Sequence, residues 1–286
     1  MYIAYLLAWR LIGVMPEKLA YLLANKISDY LYKKNGKGVK RLRSNYARVQ
    51  PSISEIELDD LTKAGMRSYL RYWIDTFRLN KWSKERIIST TTVINEQLLR
   101  DPIASKQGCL VVLPHAGNWD HAAAYFCSTG INLTTVAEKL KPEQIFLKFL
   151  DYRQSIGIEV LHTEEKVMPI LLDRLRSGKL VALVADRDLS KNGLSVDFFG
   201  GVAKMPSGPA RLILDSNSAF ISAFITYSEF GINIEFKSIG PVPTEGTVEE
   251  RVEKLTQLMA DNFAAGIKSS PVDWHMLQRI WTDEKI

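Results

Sequence analysis

Imidazole and carboxylate groups follow two apolar runs of this chain, and their types suit proton transfer. His115 lies in Pro114-His115-Ala116-Gly117-Asn118-Trp119-Asp120, directly after the run 108–113. A short apolar run bounded by Gly and Pro predicts a buried strand, and 118–129 then reads as a helix. That order puts His115 at the carboxyl end of a central strand, where open α/β sheets hold their ligands. Asp120 falls in the first turn of the helix, whose amino end favours negative charge. A second set, Asp186-Arg187-Asp188, follows the apolar run 180–185 and is expected at the same sheet edge. A neutral imidazole near pH 7 can take a proton from a weak nucleophile such as a hydroxyl. The imidazolium so formed needs a carboxylate partner that also fixes its tautomer, and both Asp120 and Asp186 qualify.

Those residues need a sheet to present them. Strands are predicted at 109–113, 132–137, 158–161 and 180–185, alternating with helices at 118–129, 142–156 and 166–177. Further strands are expected near 195–199, 219–227 and 231–239, with a helix near 205–217. Val248, Val252, Leu255, Met259 and Phe263 recur at helical spacing and predict one more amphipathic helix. Alternation of this kind implies an α/β fold, a central, mostly parallel sheet flanked by helices. The pair 219–227 and 231–239 reads as an antiparallel hairpin at one edge. The first hundred residues read as helices over 2–15, 17–34, 39–49 and 53–79. Neither a repeat nor a low-complexity linker divides the chain, so a single domain over 1–286 is expected, its catalytic core at 108–286.

Of 286 residues, 46% are hydrophobic and 24% charged, which excludes a disordered chain. Cys109 and Cys127 form neither a CxxC nor a disulfide framework, so a reducing setting is expected. Residues 1–50 hold ten Lys or Arg against Glu17 and Asp29, a balance of +8 within a total of +5. The apolar start is interrupted by Arg10 and ended by Pro16, which leaves it short of the roughly 20 residues of a spanning helix. Apolar residues with Trp and Tyr beside a polybasic stretch describe a helix lying in an anionic membrane interface, the alternative being a core helix followed by a solvated basic face. Nucleic acid is disfavoured, because base-stacking aromatics do not interleave the basic segment. The chain carries no G-x-S-x-G elbow, no phosphate-binding P-loop, no G-x-G-x-x-G after a strand and no zinc spacing among its four histidines. A bare histidine base without metal or cofactor is what these residues favour.

Four blocks, spanning 114–278 in order, resemble the lysophospholipid acyltransferase-like superfamily that includes bacterial lipid A late acyltransferases and phosphatidylinositol mannoside acyltransferases. They are the His115 block; Ala137-Glu138-Lys139-Leu140-Lys141-Pro142-Glu143 with Tyr152-Arg153; Ala185-Asp186-Arg187-Asp188-Leu189-Ser190, running into Phe198-Phe199-Gly200-Gly201 and Met205-Pro206-Ser207-Gly208-Pro209-Ala210; and Pro271-Val272-Asp273-Trp274-His275-Met276-Leu277-Gln278. Arg187 and Asp120 look like the mannoside branch, since lipid A enzymes more often carry Gln and Glu there. The resemblance implies acyl transfer from a coenzyme A thioester to a mannose hydroxyl of a phosphatidylinositol mannoside, at the cytosolic face of the membrane. It also implies that Asp186 partners His115 while Asp120 holds the loop. Glu138, Arg187 and Asp188 would then meet the acceptor, and Arg153 would clamp its phosphodiester. Trp119, Tyr125, Phe126, Phe146 and Phe149 are available to line an acyl slot.

Overall fold

The order of elements follows from where apolar residues fall relative to one sheet. The computed structural model describes residues 9–137, 143–162, 166–188 and 192–283. Residues 9–14 are helical, followed by α1 (Glu17–Lys34), α2 (Lys37–Val49), α3 (Glu55–Arg78) and the short α4 (Lys84–Ser89). Ser54 and Glu57 cap α3 reciprocally, each side chain bonding the other's backbone, which satisfies two donors left open at a helix start. Next come β1 (Thr91–Ile94), α5 (Gln97–Ala104), β2 (Cys109–Leu113), α6 (Trp119–Ser128), β3 (Leu133–Ala137), α7 (Glu143–Ser155), β4 (Ile158–His162), α8 (Val167–Arg176) and β5 (Leu180–Val184). The chain continues through β6 (Leu194–Phe198), β7 (Gly201–Met205), α9 (Gly208–Ser216), β8 (Ala219–Tyr227), β9 (Ile232–Ser238) and α10 (Val248–Ser269).

Seven strands form one sheet in the order β1-β9-β8-β2-β5-β3-β4. Every neighbouring pair is parallel except β8 with β9. The hairpin expected at the edge is therefore antiparallel as predicted, but β1 lies outside it and takes the edge. All five residues of β2 are buried, as a strand covered on both faces requires. On one face Cys109, Val111 and Leu113 pack with α4, α5 and α6; on the other Leu110 and Val112 pack with α2, α8, α9 and α10. The strand predicted near 195–199 is β6, and it pairs with β7, which the sequence pattern had left within a loop and helix. This hairpin forms a sheet of its own, clasped by Trp281, whose indole Nε1 donates to the Phe198 carbonyl at 2.7 Å. Among the described residues, no helix is long and apolar enough to cross a membrane.

Register decides what meets at the sheet edge. β2 and β5 are neighbours, and Leu113 stands opposite Val184. His115 and Asp186 each follow that pair by two residues, so the strands deliver them side by side. The Ala185 amide continues the ladder by donating to the Leu113 carbonyl at 2.9 Å.

Candidate active site

His115 and Asp186 form a dyad at this edge. The His115 ring Nδ1 lies 2.5 Å from Asp186 Oδ1, and the His115 amide donates to Asp186 Oδ2 at 3.0 Å. Asp186 is fully buried, whereas the His115 side chain is 25% exposed, so the dyad has one sealed and one accessible end. Burial alone would raise the Asp186 carboxyl. The charge and hydrogen bonds of His115, together with the Trp274 indole donor, outweigh it and hold the group below its ordinary value. The Nδ1–carboxylate contact leaves Nε2 as the ring nitrogen available to a substrate.

Trp274 has no role in the sequence reading beyond its place in the tail block. Its Nε1–H donates to Asp186 Oδ2 at 2.9 Å, and its side chain is fully buried. The segment around it grips the His115 loop from beneath. Trp274 bridges to Ala116, the His275 amide donates to the His115 carbonyl at 2.8 Å, and the Gly117 amide donates to the Asp273 carbonyl at 2.9 Å. Gly117 has φ +58°, and a Cβ there would stand 2.5 Å from the Ile225 carbonyl oxygen, so the loop takes this path only with glycine. Asp273 is itself held by Ser68 Oγ at 2.7 Å and by the Tyr227 amide at 3.0 Å, and burial raises its carboxyl. Ser68 Oγ also lies 2.9 Å from His275 Nε2. Burial, aided by the nearby His115, lowers His275 to about 3 and keeps it neutral.

Asp120 is not brought to His115. It lies with Arg153 in the wall of an apolar slot, where Oδ1 accepts from Arg153 Nε at 2.8 Å and Oδ2 accepts from Arg153 Nη2 at 3.2 Å and Tyr72 Oη at 3.0 Å. Burial works against the charge on Arg153, but Asp120 opposes it and the guanidinium pKa is raised. The edge of Arg153 that would have clamped a phosphodiester is thus engaged by Asp120, and the pair ties α7 to α6 and α3. Arg187 and Asp188 stand half-buried beside Asp186. Arg187 donates to the Gln278 side-chain oxygen, and the Asp188 amide donates to the Lys204 carbonyl at 2.7 Å. Glu138, and the side chains of Phe146 and Phe149, lie outside the described residues.

An apolar slot of about 100 Å³ runs between α6 and the sheet, lined by Leu113, Trp119, Phe126, Leu133, Ala182 and Val184 among others. Trp119 connects it to the dyad, with its ring centroid 5.6 Å from that of His115 in an edge-on contact. Two of the aromatics proposed from sequence, Trp119 and Phe126, are in its wall.

Matching against family models decides the relationship: bacterial lipid A biosynthesis acyltransferase matches residues 1–283. The chain belongs to that family. It is similar at 36% identity over 282 residues to phosphatidylinositol mannoside acyltransferase of Mycolicibacterium smegmatis, covering 98% of this chain and 90% of that one. It is similar at 35% identity over 283 residues to the protein of the same name from Mycobacterium tuberculosis, covering 97% and 87%. Membership makes this chain an acyltransferase, and a histidine–carboxylate pair beside an apolar slot is suited to that chemistry.

Proposed function

We propose that this acyltransferase moves a fatty acyl group from a coenzyme A thioester to a mannose hydroxyl of a phosphatidylinositol mannoside. The observation that carries the reading is the His115–Asp186 dyad with its accessible ring nitrogen at the end of the apolar slot. His115 Nε2 takes the hydroxyl proton while the oxygen attacks the thioester carbonyl. Asp186 stabilises the imidazolium without accepting its proton. Collapse of the tetrahedral adduct breaks the carbon–sulfur bond, and the departing thiolate recovers the proton from His115. The alkyl chain lies in the slot. Arg187, Asp188 and Glu138 are assigned to the acceptor headgroup, and the relatives' names support a mannosylated phosphoinositide over other acceptors.

The acceptor is a lipid, and the amino-terminal helices are assigned to docking on an anionic membrane from its cytosolic side. The support is the division of α1 into two faces. Ala20, Ala24 and Ser28 are buried against the protein, while Leu19, Leu22, Leu23 and Ile27 stay exposed and Lys33 and Lys34 close the helix. Exposed apolar side chains on one helix face with flanking cations suit a headgroup boundary. A family model named for lipid A enzymes supports a second reading, the same transfer to a lipid A precursor. Purified protein given labelled acyl-coenzyme A and vesicles containing either a phosphatidylinositol mannoside, a lipid A precursor or a lysophospholipid separates these. Label is expected on the mannoside alone. Transfer to another acceptor, with none to the mannoside, overturns the reading.

A further inference from the structure

Resting on the docking of the amino-terminal helices on a membrane, we infer that Phe230, at the tip of the β8–β9 hairpin, is a second point of insertion into that membrane. Tyr227 pairs with Ile232, so residues 228–231 make the turn. The Ser228 amide donates to the Gly231 carbonyl at 3.0 Å, and the Gly231 amide donates to Ser228 Oγ at 3.0 Å. Those bonds close the turn without using the side chain at 230. Phe230 is 77% exposed, as much as any large apolar side chain among the described residues. A benzyl group left in water contributes nothing to the core, and a polar residue would fill a turn position equally well. One exposed apolar residue is ordinary on a protein surface, so its neighbours decide the matter.

Those neighbours fit a lipid surface. Arg71 of α3 holds the turn, its Nη1 donating to the Ser228 carbonyl at 2.8 Å, and the same guanidinium lies 5.9 Å from the Tyr21 ring of α1. Tyr21, Ala24 and Asn25 of α1 share one cavity of about 470 Å³ with Tyr227 and Glu229 of the hairpin. The tip therefore stands beside the helix whose Leu19, Leu22 and Ile27 are left exposed. On its other side the Ile232 amide donates to the Thr90 carbonyl at 2.9 Å, next to the end of α4, where Ile88 is also exposed. The apolar surface is thus continuous with the basic amino-terminal helices, a combination that suits an anionic headgroup boundary. Glu229, the one acid of the turn, opposes such a surface, so the gain must come from the aromatic ring. Register sets the height of the tip. Val112 of β2 stands opposite Ser222 of β8, so His115 is level with Ile225, three residues further on. Tyr227 is then about 7 Å beyond that level along the strand, and the turn carries Phe230 further out. Insertion of the tip turns the carboxyl edge of the sheet toward the lipid, where an acceptor reaches His115 without leaving the bilayer.

The experiment uses the full chain and vesicles of phosphatidylglycerol with phosphatidylcholine. Phe230→Ser is expected to weaken co-sedimentation about tenfold, the effect of one aromatic ring withdrawn from lipid, with thermal stability near wild type. Leu22→Ser should weaken it as well. Val242→Ser, an exposed position beside the start of β8 at the opposite edge of the sheet, should not. Salt screens charges and not apolar insertion, so the loss in Phe230→Ser should persist at high salt. Phe230→Trp should bind at least as well as wild type, since tryptophan favours the membrane interface. An environment-sensitive dye on Phe230→Cys, in a Cys127→Ser background that leaves only the buried Cys109, should shift to an apolar emission when vesicles are added. If Leu22→Ser weakens binding and Phe230→Ser does not, with the dye still in water, the second insertion is overturned and the docking of the helices stands. Absence of wild-type binding overturns both. A marked loss of thermal stability in Phe230→Ser would show that the ring belongs to the fold and not to the membrane.

Discussion

Asp186 and Asp120 are both buried aspartates near the carboxyl edge of the sheet, and they differ in what faces them. Asp186 receives a histidine ring, that histidine's own amide and an indole N–H, and its far side is sealed by the tail segment. Asp120 receives a permanently charged guanidinium and a phenol. A carboxylate matched to an imidazole can follow that ring through a change of charge. One matched to arginine has nothing to follow, because arginine keeps its proton. The aspartate five residues from His115 therefore belongs to the scaffold, and the one 71 residues away belongs to the histidine.

Substitution can break that contrast. His115→Ala is expected to abolish transfer, and Asp186→Asn to lower turnover by roughly 10²–10⁴-fold while leaving thermal stability near wild type. Steady-state kinetics after circular dichroism check both, and an active Asp186→Asn variant would return Asp120 to consideration. Asp120→Asn should show the reverse profile. It strands the Arg153 charge in the interior, a change that typically costs about 3–5 kcal/mol of stability, and turnover per folded molecule should fall less than in Asp186→Asn. Denaturant titration and active-site-normalised kinetics separate the two losses. Should Asp120→Asn fold normally and lose more activity than Asp186→Asn, the division of labour is the opposite of the one described.

Trp274→Phe sharpens the comparison from the other side, since it deletes one donor to Asp186 and keeps an aromatic ring. A hydrogen bond to a charged group is worth about 1.5–3 kcal/mol, so turnover should fall by roughly ten- to a hundredfold with KM little changed. Phenylalanine at wild-type turnover would show that the indole only fills space. Another buried aspartate bears on stability and not on turnover. Asp75 has Tyr21 Oη at 2.5 Å and Arg71 no closer than 3.7 Å, and burial pushes its carboxyl up to about 6 from an ordinary 3.8. Between those values the folded protein holds a proton that the unfolded chain releases. The contribution of Asp75 is thus complete below the lower value and lost as pH rises through the upper one. Asp75→Asn should match wild type near pH 4 and exceed it by about 2–3 kcal/mol near pH 8. Denaturation at the two pH values measures this, and an equal offset at both would show that the charge is not the cause.

Much of this site was legible in sequence because it depends on strand ends. Glycine and proline bounded β2, a polar triplet ended β5, and neighbouring parallel strands place equivalent positions together. The Arg153–Asp120 pair was not legible, since it depends on how α7 lies against α6, and spacing along the chain does not encode a packing angle. Trp274 is separated from Asp186 by 88 residues, and a tryptophan in an apolar tail gives no sign of which carboxylate its N–H will find. The stretch from 80 to 104 was left unassigned although it holds α4, β1 and α5. β1 is only four residues, with one face half-buried and the other exposed, too short for alternation to stand out. β7 was missed for a related reason, its glycine start and lysine obscuring a five-residue strand that needs β6 to form.

The segment Pro271–Gln278 also imposes an order of events on the newborn enzyme. It leaves the ribosome after every strand of the sheet, so a chain whose sheet is already paired still has Asp186 without its indole and the His115 loop without its clasp. The helices that precede β1 emerge first, the dyad is delivered later by β2 and β5, and it is locked only when the tail threads beneath the loop. Maturation therefore runs from the amino-terminal helices toward chemistry, and a chain interrupted before residue 271 would have its slot and its sheet but a slack catalytic pair.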